Sequence, residues 1–269
     1  MNERWMMLAL TSFLFAIQLI YGATTPRPPT IVGGDVAPED AWPWQVAIRY
    51  KDQFLCGGTL LRADIVLTAA HCTRGRRKKF IEVKVGEYEL QKNEMWTRGE
   101  MSIKVNKIIV HPDYDDVKYP NDLSIIKLDR CVKFNKYITT IPQLADDGMD
   151  FINKPCYVTG WGVYDRNVFR LADILQEAQV PVITNAQCQP GILKNITITE
   201  DMICTEDNIR GGCFSDSGGP LQCLINQKWV HVGTVSWGNP SCNGLTVYAR
   251  TSYFRDWILW TMEKISKSN

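Results

Sequence analysis

The sequence predicts an all-β protein that ends in one α-helix. Short runs of β-branched and aromatic residues recur along the chain between glycine, proline and asparagine residues, a pattern typical of barrels and sandwiches. Apolar residues at helical spacing are confined to a segment from Tyr253 to Ile265, with Ser252 as its expected N-cap. The predicted strands are 44–48, 65–68, 81–85, 103–110, 123–128, 156–159, 175–182, 221–224, 229–236 and 246–249.

Composition narrows the class of protein. The 269 residues include 30 Lys and Arg against 29 Asp and Glu, and this balance argues against a nucleic-acid binder. The 45% of hydrophobic and 22% of charged residues are typical of a folded protein. Nine cysteines indicate disulfides and therefore an oxidising compartment.

The N-terminus reads as a targeting segment. Arg4 precedes an apolar run from Met6 to Ile20, and small residues follow at Gly22. Because the run is shorter than the ~20 residues that span a bilayer, we expect residues 1–22 to be a cleaved signal peptide and not a membrane anchor. We expect a secreted, extracellular protein with no membrane contact, in which the proline-rich residues 23–30 form a pro-segment.

Three polar residues have the chemistry of a nucleophilic catalytic site. An activated hydroxyl needs a base beside it and a carboxylate that orients the base. Of the three histidines, His71 follows an apolar strand directly, whereas His111 and His231 are interpreted as surface or core residues. Ser217 lies in a glycine-rich loop whose backbone N–H groups can converge on one point. Asp122 begins an apolar strand, where a buried charge requires a partner.

Six motifs, in this order along the chain, carry a resemblance to a known family. They are IVGG at 31–34, TAAHC at 68–72, NDLSIIKL at 121–128, GWG at 160–162, SDSGGPL at 215–221 and SWG at 236–238. Together they resemble the chymotrypsin/trypsin family of serine endopeptidases over about residues 31–262. The resemblance implies that 31–269 is a peptidase domain of two six-stranded antiparallel Greek-key barrels, split near residue 140, with a C-terminal helix.

The resemblance also implies a catalytic mechanism, and this mechanism needs no cofactor. Ser217 is the expected nucleophile, His71 the base and then acid, and Asp122 the residue that orients it. The backbone N–H groups of Ser215 and Ser217 form the expected oxyanion hole. In the family, cleavage before Ile31 frees an amine that pairs with Asp216. The residue before this bond is threonine and not arginine or lysine, so we expect that trypsin-like enzymes do not activate the chain.

The family's cysteine pairings leave one cysteine over. The implied pairs are Cys56–Cys72, Cys156–Cys223, Cys188–Cys204 and Cys213–Cys242. Cys131 is interpreted as a buried thiol, with pairing to another chain as the alternative.

The substrate pocket departs from that of trypsin. By resemblance its base is Gly211 followed by Gly212, so no carboxylate meets a basic P1 residue, the residue before the scissile bond. Thr246 is expected to shorten the pocket, which favours small to medium apolar P1 residues; aromatic P1 residues are the close alternative. The other expected substrate-binding residues are Phe214 at the mouth, Tyr119 at the next subsite, and Val235, Ser236, Trp237 and Gly238.

Some features stay open at this stage. Ser215 replaces a glycine of the family, so a weak or inactive homologue that acts as a binding protein is the alternative function. The basic run 74–79 is interpreted as a solvated loop, or else as an exosite for acidic segments or polyanions. Asn195 begins a glycosylation sequon.

The expected partners are polypeptide substrates, with protein inhibitors as further candidates. The protein is expected to be a monomer. Glu87, Glu89 and Glu94 resemble part of a calcium loop. Thr97 stands where an acidic ligand belongs, so we expect no metal.

Overall fold

A computed structural model describes residues 34–117, 119–165, 170–189, 196–207, 211–239, 242 and 244–267. These residues are mostly β, with one long helix at the C-terminal end, which confirms the predicted class. None of the described helices is long and apolar enough to cross a bilayer.

The strands lie where short apolar runs predict them, with several more added. They are β1 (Asp35–Val36), β2 (Gln45–Tyr50), β3 (Gln53–Arg62), β4 (Ile65–Thr68), β5 (Ile81–Val85), β6 (Met101–Val110), β7 (Ser124–Leu128), β8 (Gln143–Leu144), β9 (Cys156–Gly160), β10 (Val163–Asp165), β11 (Arg170–Leu171), β12 (Gln176–Gln179), β13 (Val182–Ile183), β14 (Met202–Thr205), β15 (Pro220–Ile225), β16 (Lys228–Gly238) and β17 (Thr246–Arg250). The helices are α1 (Ala70–Thr73), α2 (Met95–Arg98), α3 (Asn185–Cys188) and α4 (Thr251–Lys267), with a 3₁₀ turn at Lys78–Phe80.

The first barrel is a closed ring of six antiparallel strands in the order β2-β3-β4-β7-β6-β5. Its interior follows from strand periodicity: in β5, Ile81, Val83 and Val85 are buried, whereas Glu82 and Lys84 between them are partly exposed.

The second half is one sheet with the strand order β1-β12-β9-β15-β16-β17-β14-β13. The predicted strand 175–182 is interrupted at Pro181, which has no N–H to donate. On either side of the break the Val180 N–H donates to Cys156 O at 2.9 Å, and the Glu206 N–H donates to Pro181 O at 3.2 Å. The covalent chain joins β12 to β13 at this break, and the sheet forms a half-barrel; among the described strands, only those of the first barrel form a closed hydrogen-bonded ring.

Helix α4 packs across the first barrel. It buries Phe254, Ile258 and Ile265 in one cluster with Ile65 of β4 and Ile125 of β7. The helix begins at Thr251, two residues earlier than expected, so Ser252 lies in its first turn and is not the cap. His111, interpreted from the sequence as a surface or core residue, packs against the helix. Its ring lies edge-on to the Phe254 ring with centroids 5.3 Å apart, and it is tilted against the Trp257 ring with centroids 4.8 Å apart.

Four disulfides link the described residues, with the pairings that the resemblance implies: Cys56–Cys72, Cys156–Cys223, Cys188–Cys204 and Cys213–Cys242. The interpretation of Cys131 as a buried thiol is wrong, because this free cysteine is exposed. It lies in the segment after β7, between Arg130 and Lys133, where the chain has left the barrel and buries only Val132.

Candidate active site

His71 is held on a tight helical turn directly after β4. Ala69 and Ala70 are completely buried at the start of this turn, where only small side chains let the backbone approach the barrel. Thr73, at its end, donates from Oγ1 to Ser124 Oγ at 2.8 Å and so ties the turn to β7. The imidazole is therefore fixed relative to the strand that Asp122 precedes.

Asp122 and His71 form a two-point contact. The His71 backbone N–H donates to Asp122 Oδ1 at 2.9 Å, and the ring atom Nδ1 lies 2.7 Å from Oδ2. Ser236 of β16 adds a third bond by donating from Oγ to the same Oδ2 at 2.6 Å. The carboxylate is 1% exposed, so these bonds supply the partners that a buried charge needs. They orient the imidazole so that Nε2 is the atom left for chemistry.

Ser217 comes from the second barrel and reaches the same cavity as His71. Its carbonyl oxygen accepts the Gly57 N–H at 2.9 Å, which anchors the nucleophile loop on β3. Gly218 follows with φ of +79°, and a Cβ there would lie 2.1 Å from Thr68 Oγ1, so only glycine fits. No hydrogen bond joins the Ser217 hydroxyl to His71 in the described structure, although both side chains face one cavity.

Two backbone donors of the nucleophile loop are available for a substrate oxygen. Among the described residues, the N–H groups of Ser215 and Ser217 donate to no protein acceptor. Ser215 adopts φ of +73°, a left-handed conformation that costs a residue with a Cβ about 1–2 kcal/mol. Ser215 adopts this conformation at the position where the family has glycine.

Asp216 lies behind the loop in a closed backbone cradle. Gly162 N–H donates to Oδ1 at 2.8 Å and Cys213 N–H to Oδ2 at 2.9 Å. Burial raises the pKa of this carboxyl to about 6, although the two backbone hydrogen bonds oppose the shift. Ile31, its expected partner, lies outside the described residues.

The cavity beside Ser217 is about 320 Å³ in volume. It is lined by His71, Tyr119, Ile196, Gly212, Cys213, Phe214, Ser217, Val235, Ser236, Trp237, Gly238, Asn239, Cys242 and Thr246. The Tyr119 ring stands edge-on to the His71 ring, with centroids 6.4 Å apart, and Phe214 is 45% exposed at the mouth. Among the residues that the structure describes, no Lys, Arg, Asp or Glu belongs to this lining.

Gly211 is the expected pocket residue that does not line the cavity. A Cβ at this position would lie 2.9 Å from Gly244 O and 3.1 Å from Thr246 Oγ1, so Gly211 is packed behind Thr246. Thr246, 1% exposed, donates from Oγ1 to Gly212 O at 3.3 Å. The threonine side chain thus stands at the base of the pocket.

Some site residues have no clear signal in the sequence. Ile196 and Asn239 line the cavity, and their only hints are the position of Ile196 between Cys188 and Cys204 and the position of Asn239 directly after β16. The sequon residue Asn195 lies outside the described residues.

The glutamates that resemble a calcium loop form a different cluster from the expected one. Glu87, Glu94 and Glu100 bring carboxylate oxygens within 4.8 Å of one another. Lys84 sits among them: its Nζ lies 3.0 Å from Glu87 Oε2 and pairs with Glu100. Burial raises the pKa of Glu87 to about 7, although Lys84 opposes the shift. An ammonium group already placed among the carboxylates does not fit a calcium site.

Comparison with known proteins agrees with this geometry. The sequence profile of the family described as Trypsin matches residues 31–258. Chymotrypsin-like elastase family member 1 of Felis catus is 35% identical, over 93% of this chain and 97% of the relative. The protein of the same name from Canis lupus familiaris is 36% identical, over 89% and 96% of the two chains. Tryptase of Mus musculus is 34% identical, over 85% and 87%.

Fold, site and relatives together define a serine endopeptidase. The chain belongs to the trypsin family.

Proposed function

We propose that this chain is a secreted serine endopeptidase, made as an inactive precursor, that cleaves polypeptides after small to medium apolar residues. The observation that carries the proposal is the buried Asp122 carboxylate, which orients His71 at a cavity that Ser217 lines and whose described lining contains no Lys, Arg, Asp or Glu.

Catalysis follows from the orientation of the imidazole. Asp122 accepts a hydrogen bond from His71 Nδ1–H and stays ionised, so Nε2 takes the hydroxyl proton as Ser217 Oγ bonds to the substrate carbonyl carbon. The carbonyl oxygen becomes an oxyanion, which the N–H groups of Ser215 and Ser217 stabilise.

His71 then gives the proton to the leaving amine, and the peptide C–N bond breaks. Water, deprotonated by His71, next attacks the acyl-enzyme, and the return of the proton to Ser217 Oγ releases the acid.

P1 specificity follows from the base and walls of the cavity. A lysine or arginine side chain would be buried there without a carboxylate partner, which is costly. Each apolar methylene that fits contributes ~0.8 kcal/mol, whereas overpacking against Thr246 costs ~1–3 kcal/mol. Preference therefore rises from alanine to valine or leucine and falls toward phenylalanine.

The precursor proposal rests on the N-terminal sequence and on Asp216. Removal of residues 1–22 and then 23–30 would leave Ile31 as a free amine, and a buried carboxylate with a raised pKa is stabilised by such a cation. Four disulfides support export to an oxidising compartment. Glycosylation at Asn195, inhibitor proteins as partners and a monomeric state belong to the same proposal.

The test is a P1 library assayed with recombinant protein that starts at Ile31. We expect turnover with valine or leucine at P1, very little with lysine or arginine, and a loss of about 10⁴–10⁶ in kcat for Ser217→Ala. Preferred cleavage after arginine or lysine contradicts the pocket argument. No turnover of any substrate by a folded, Ile31-started protein supports the alternative of an inactive binding homologue.

A further inference from the structure

A dense group of positive charges lies next to the active site. The segment 74–80, here called the cationic loop, contains five basic residues in a chain whose net charge is only +1. Arg74, Arg77, Lys78 and Lys79 are exposed, and Arg76 is half-buried. Lys51, at the turn between β2 and β3, extends the same surface, because its backbone N–H donates to Phe80 O at 2.9 Å.

Most of these charges lack a carboxylate partner. Arg74 comes within 3.8 Å of Asp116, and both of these side chains are largely exposed. The other four basic residues of the loop form no ion pair with any residue that the structure describes. Cations held side by side repel one another, so an anionic ligand would be attracted strongly to this surface.

Two aromatic rings organise the surface. Tyr50 and Phe80 stand edge to face with centroids 6.1 Å apart. Lys79 Nζ lies 4.8 Å from the centre of the Phe80 ring, and Lys51 Nζ lies 5.6 Å from that of Tyr50. These cation–π contacts hold the charged groups near the rings. Phe80 is itself 36% exposed, so the surface offers apolar contact as well as charge.

The position of the cationic loop fits the leaving side of a substrate. Arg76 donates from Nη1 to the His71 carbonyl oxygen at 2.8 Å, and Cys72 Sγ lies 3.7 Å from His71 Nε2. Of the first barrel, only His71 and Tyr119 are described among the residues that line the P1 cavity. An extended substrate whose P1 side chain occupies that cavity passes Ser217 and leaves on the opposite side of His71, toward the loop.

We propose that the cationic loop binds acidic residues of the polypeptide substrate on the C-terminal side of the scissile bond. This inference rests on the proposed function, since it assigns a preference to the same cleavage. Extended residues span about 3.3–3.6 Å each, so the second to fifth residues after the bond extend roughly 7–18 Å beyond it, and these are the positions assigned to the loop. The exposed Phe80 ring favours a polypeptide over a sulfated glycan, because a peptide presents apolar side chains beside its carboxylates.

The test compares two internally quenched peptides with valine at P1 and identical residues before it. One has Asp and Glu at the second to fifth positions after the bond, and the other has Asn and Gln there. We expect kcat/KM about tenfold higher for the acidic peptide, as a few exposed ion pairs together supply. The preference should disappear in about 0.5 M NaCl, where screening shortens the reach of exposed charges.

The variant Arg77→Gln/Lys78→Gln/Lys79→Gln should lose the preference while it cleaves a short valine p-nitroanilide at the unchanged rate. The matched control Lys133→Gln/Lys154→Gln/Lys228→Gln removes three exposed lysines elsewhere and should keep the preference.

Equal rates for both peptides, or a preference that survives in the Arg77 triple variant, would overturn the proposal. So would binding of a heparin oligosaccharide to the cationic loop without any preference for the acidic peptide.

If the unmutated protein cleaves neither peptide nor the p-nitroanilide, the proposed function fails and the loop is tested by binding. Fluorescence anisotropy of a labelled acidic peptide on Ser217→Ala should then show an affinity that the added loop substitutions reduce about tenfold. An unchanged affinity would overturn the inference on its own.

Discussion

Replacing Thr246 with glycine should move the P1 preference of the enzyme from aliphatic to aromatic residues. Thr246 is 1% exposed and lies against Gly211 and Gly212 at the base of the cavity. Under the proposed specificity, a valine or leucine side chain would meet this threonine, whereas a phenylalanine ring would have to displace it. The substitution removes Cβ, Oγ1 and Cγ2 and leaves their space to the substrate.

The size of the shift follows from the atoms removed. The freed space holds about three more carbon atoms of the substrate, and each carbon that is buried there contributes ~0.8 kcal/mol to binding. We therefore expect the ratio of kcat/KM for phenylalanine over valine to rise roughly thirtyfold, which corresponds to a change of about 2 kcal/mol in relative transition-state binding. Thr246→Ser keeps the hydroxyl that bonds to Gly212 O and removes only the methyl group. That control should change the ratio about fourfold.

The assay measures kcat/KM for p-nitroanilides with alanine, valine, leucine and phenylalanine at P1 on all three proteins. Thermal unfolding of each variant checks that β17, which contains Thr246, still pairs with its neighbours. An unchanged ratio in a folded Thr246→Gly protein refutes the reasoning. A preference for phenylalanine in the unmutated enzyme refutes the placement of the threonine as a barrier.

Three further predictions follow from single positions. Burial lowers the pKa of His231 to about 3, so the unfolded state binds the extra proton below pH 6.5, and the free energy of unfolding should fall by about 1.4 kcal/mol per pH unit between about pH 6.5 and 3. Urea unfolding at pH 7, 5 and 4 should show a steeper loss for the unmutated protein than for His231→Gln, and equal slopes would contradict this. Ser215→Gly should relieve the strain of a positive φ and, after the entropy cost of glycine, stabilise the protein by about 0.5–1 kcal/mol without loss of kcat; a destabilised variant in denaturant titration would count against it. Trypsin should not create an Ile31 terminus in the full chain, because Thr30 is not basic; N-terminal sequencing that finds this terminus together with activity disproves the interpretation of the junction.

Much of the architecture is readable from the chain because its causes are local. Short apolar runs predict five of the six strands of the first barrel, all but β3, and His71, Asp122 and Ser217 stand in motifs that also define their backbone surroundings. The cysteine pairs needed the resemblance as well, since spacing alone allows many connectivities.

The site features that could not be predicted from the sequence depend on contacts between distant segments. Ser236 meets Asp122 across 114 residues, and Ile196 reaches the pocket from a loop with no motif of its own. Lys84 joins Glu87 and Glu100 through strand register and turn geometry, so a search for calcium ligands along the sequence did not find the ammonium group among them.

Local chemistry also misled at two positions. Pro181 interrupts a strand that hydrophobicity alone predicts as continuous, and the structure divides it into β12 and β13. Cys131, left over from the four pairs, was interpreted as a buried thiol, but the chain has already left the barrel there and the residue is exposed.

The proposed mechanism makes Ser217 a nucleophile that is activated by His71, and Asp122 orients His71. It is tested most directly by mass spectrometry of the Ile31-started protein after treatment with a fluorophosphonate. We expect one adduct per chain, located on Ser217, that forms far more slowly in His71→Ala and is absent in Ser217→Ala. An adduct on another residue, or none on a folded protein that starts at Ile31, would contradict it.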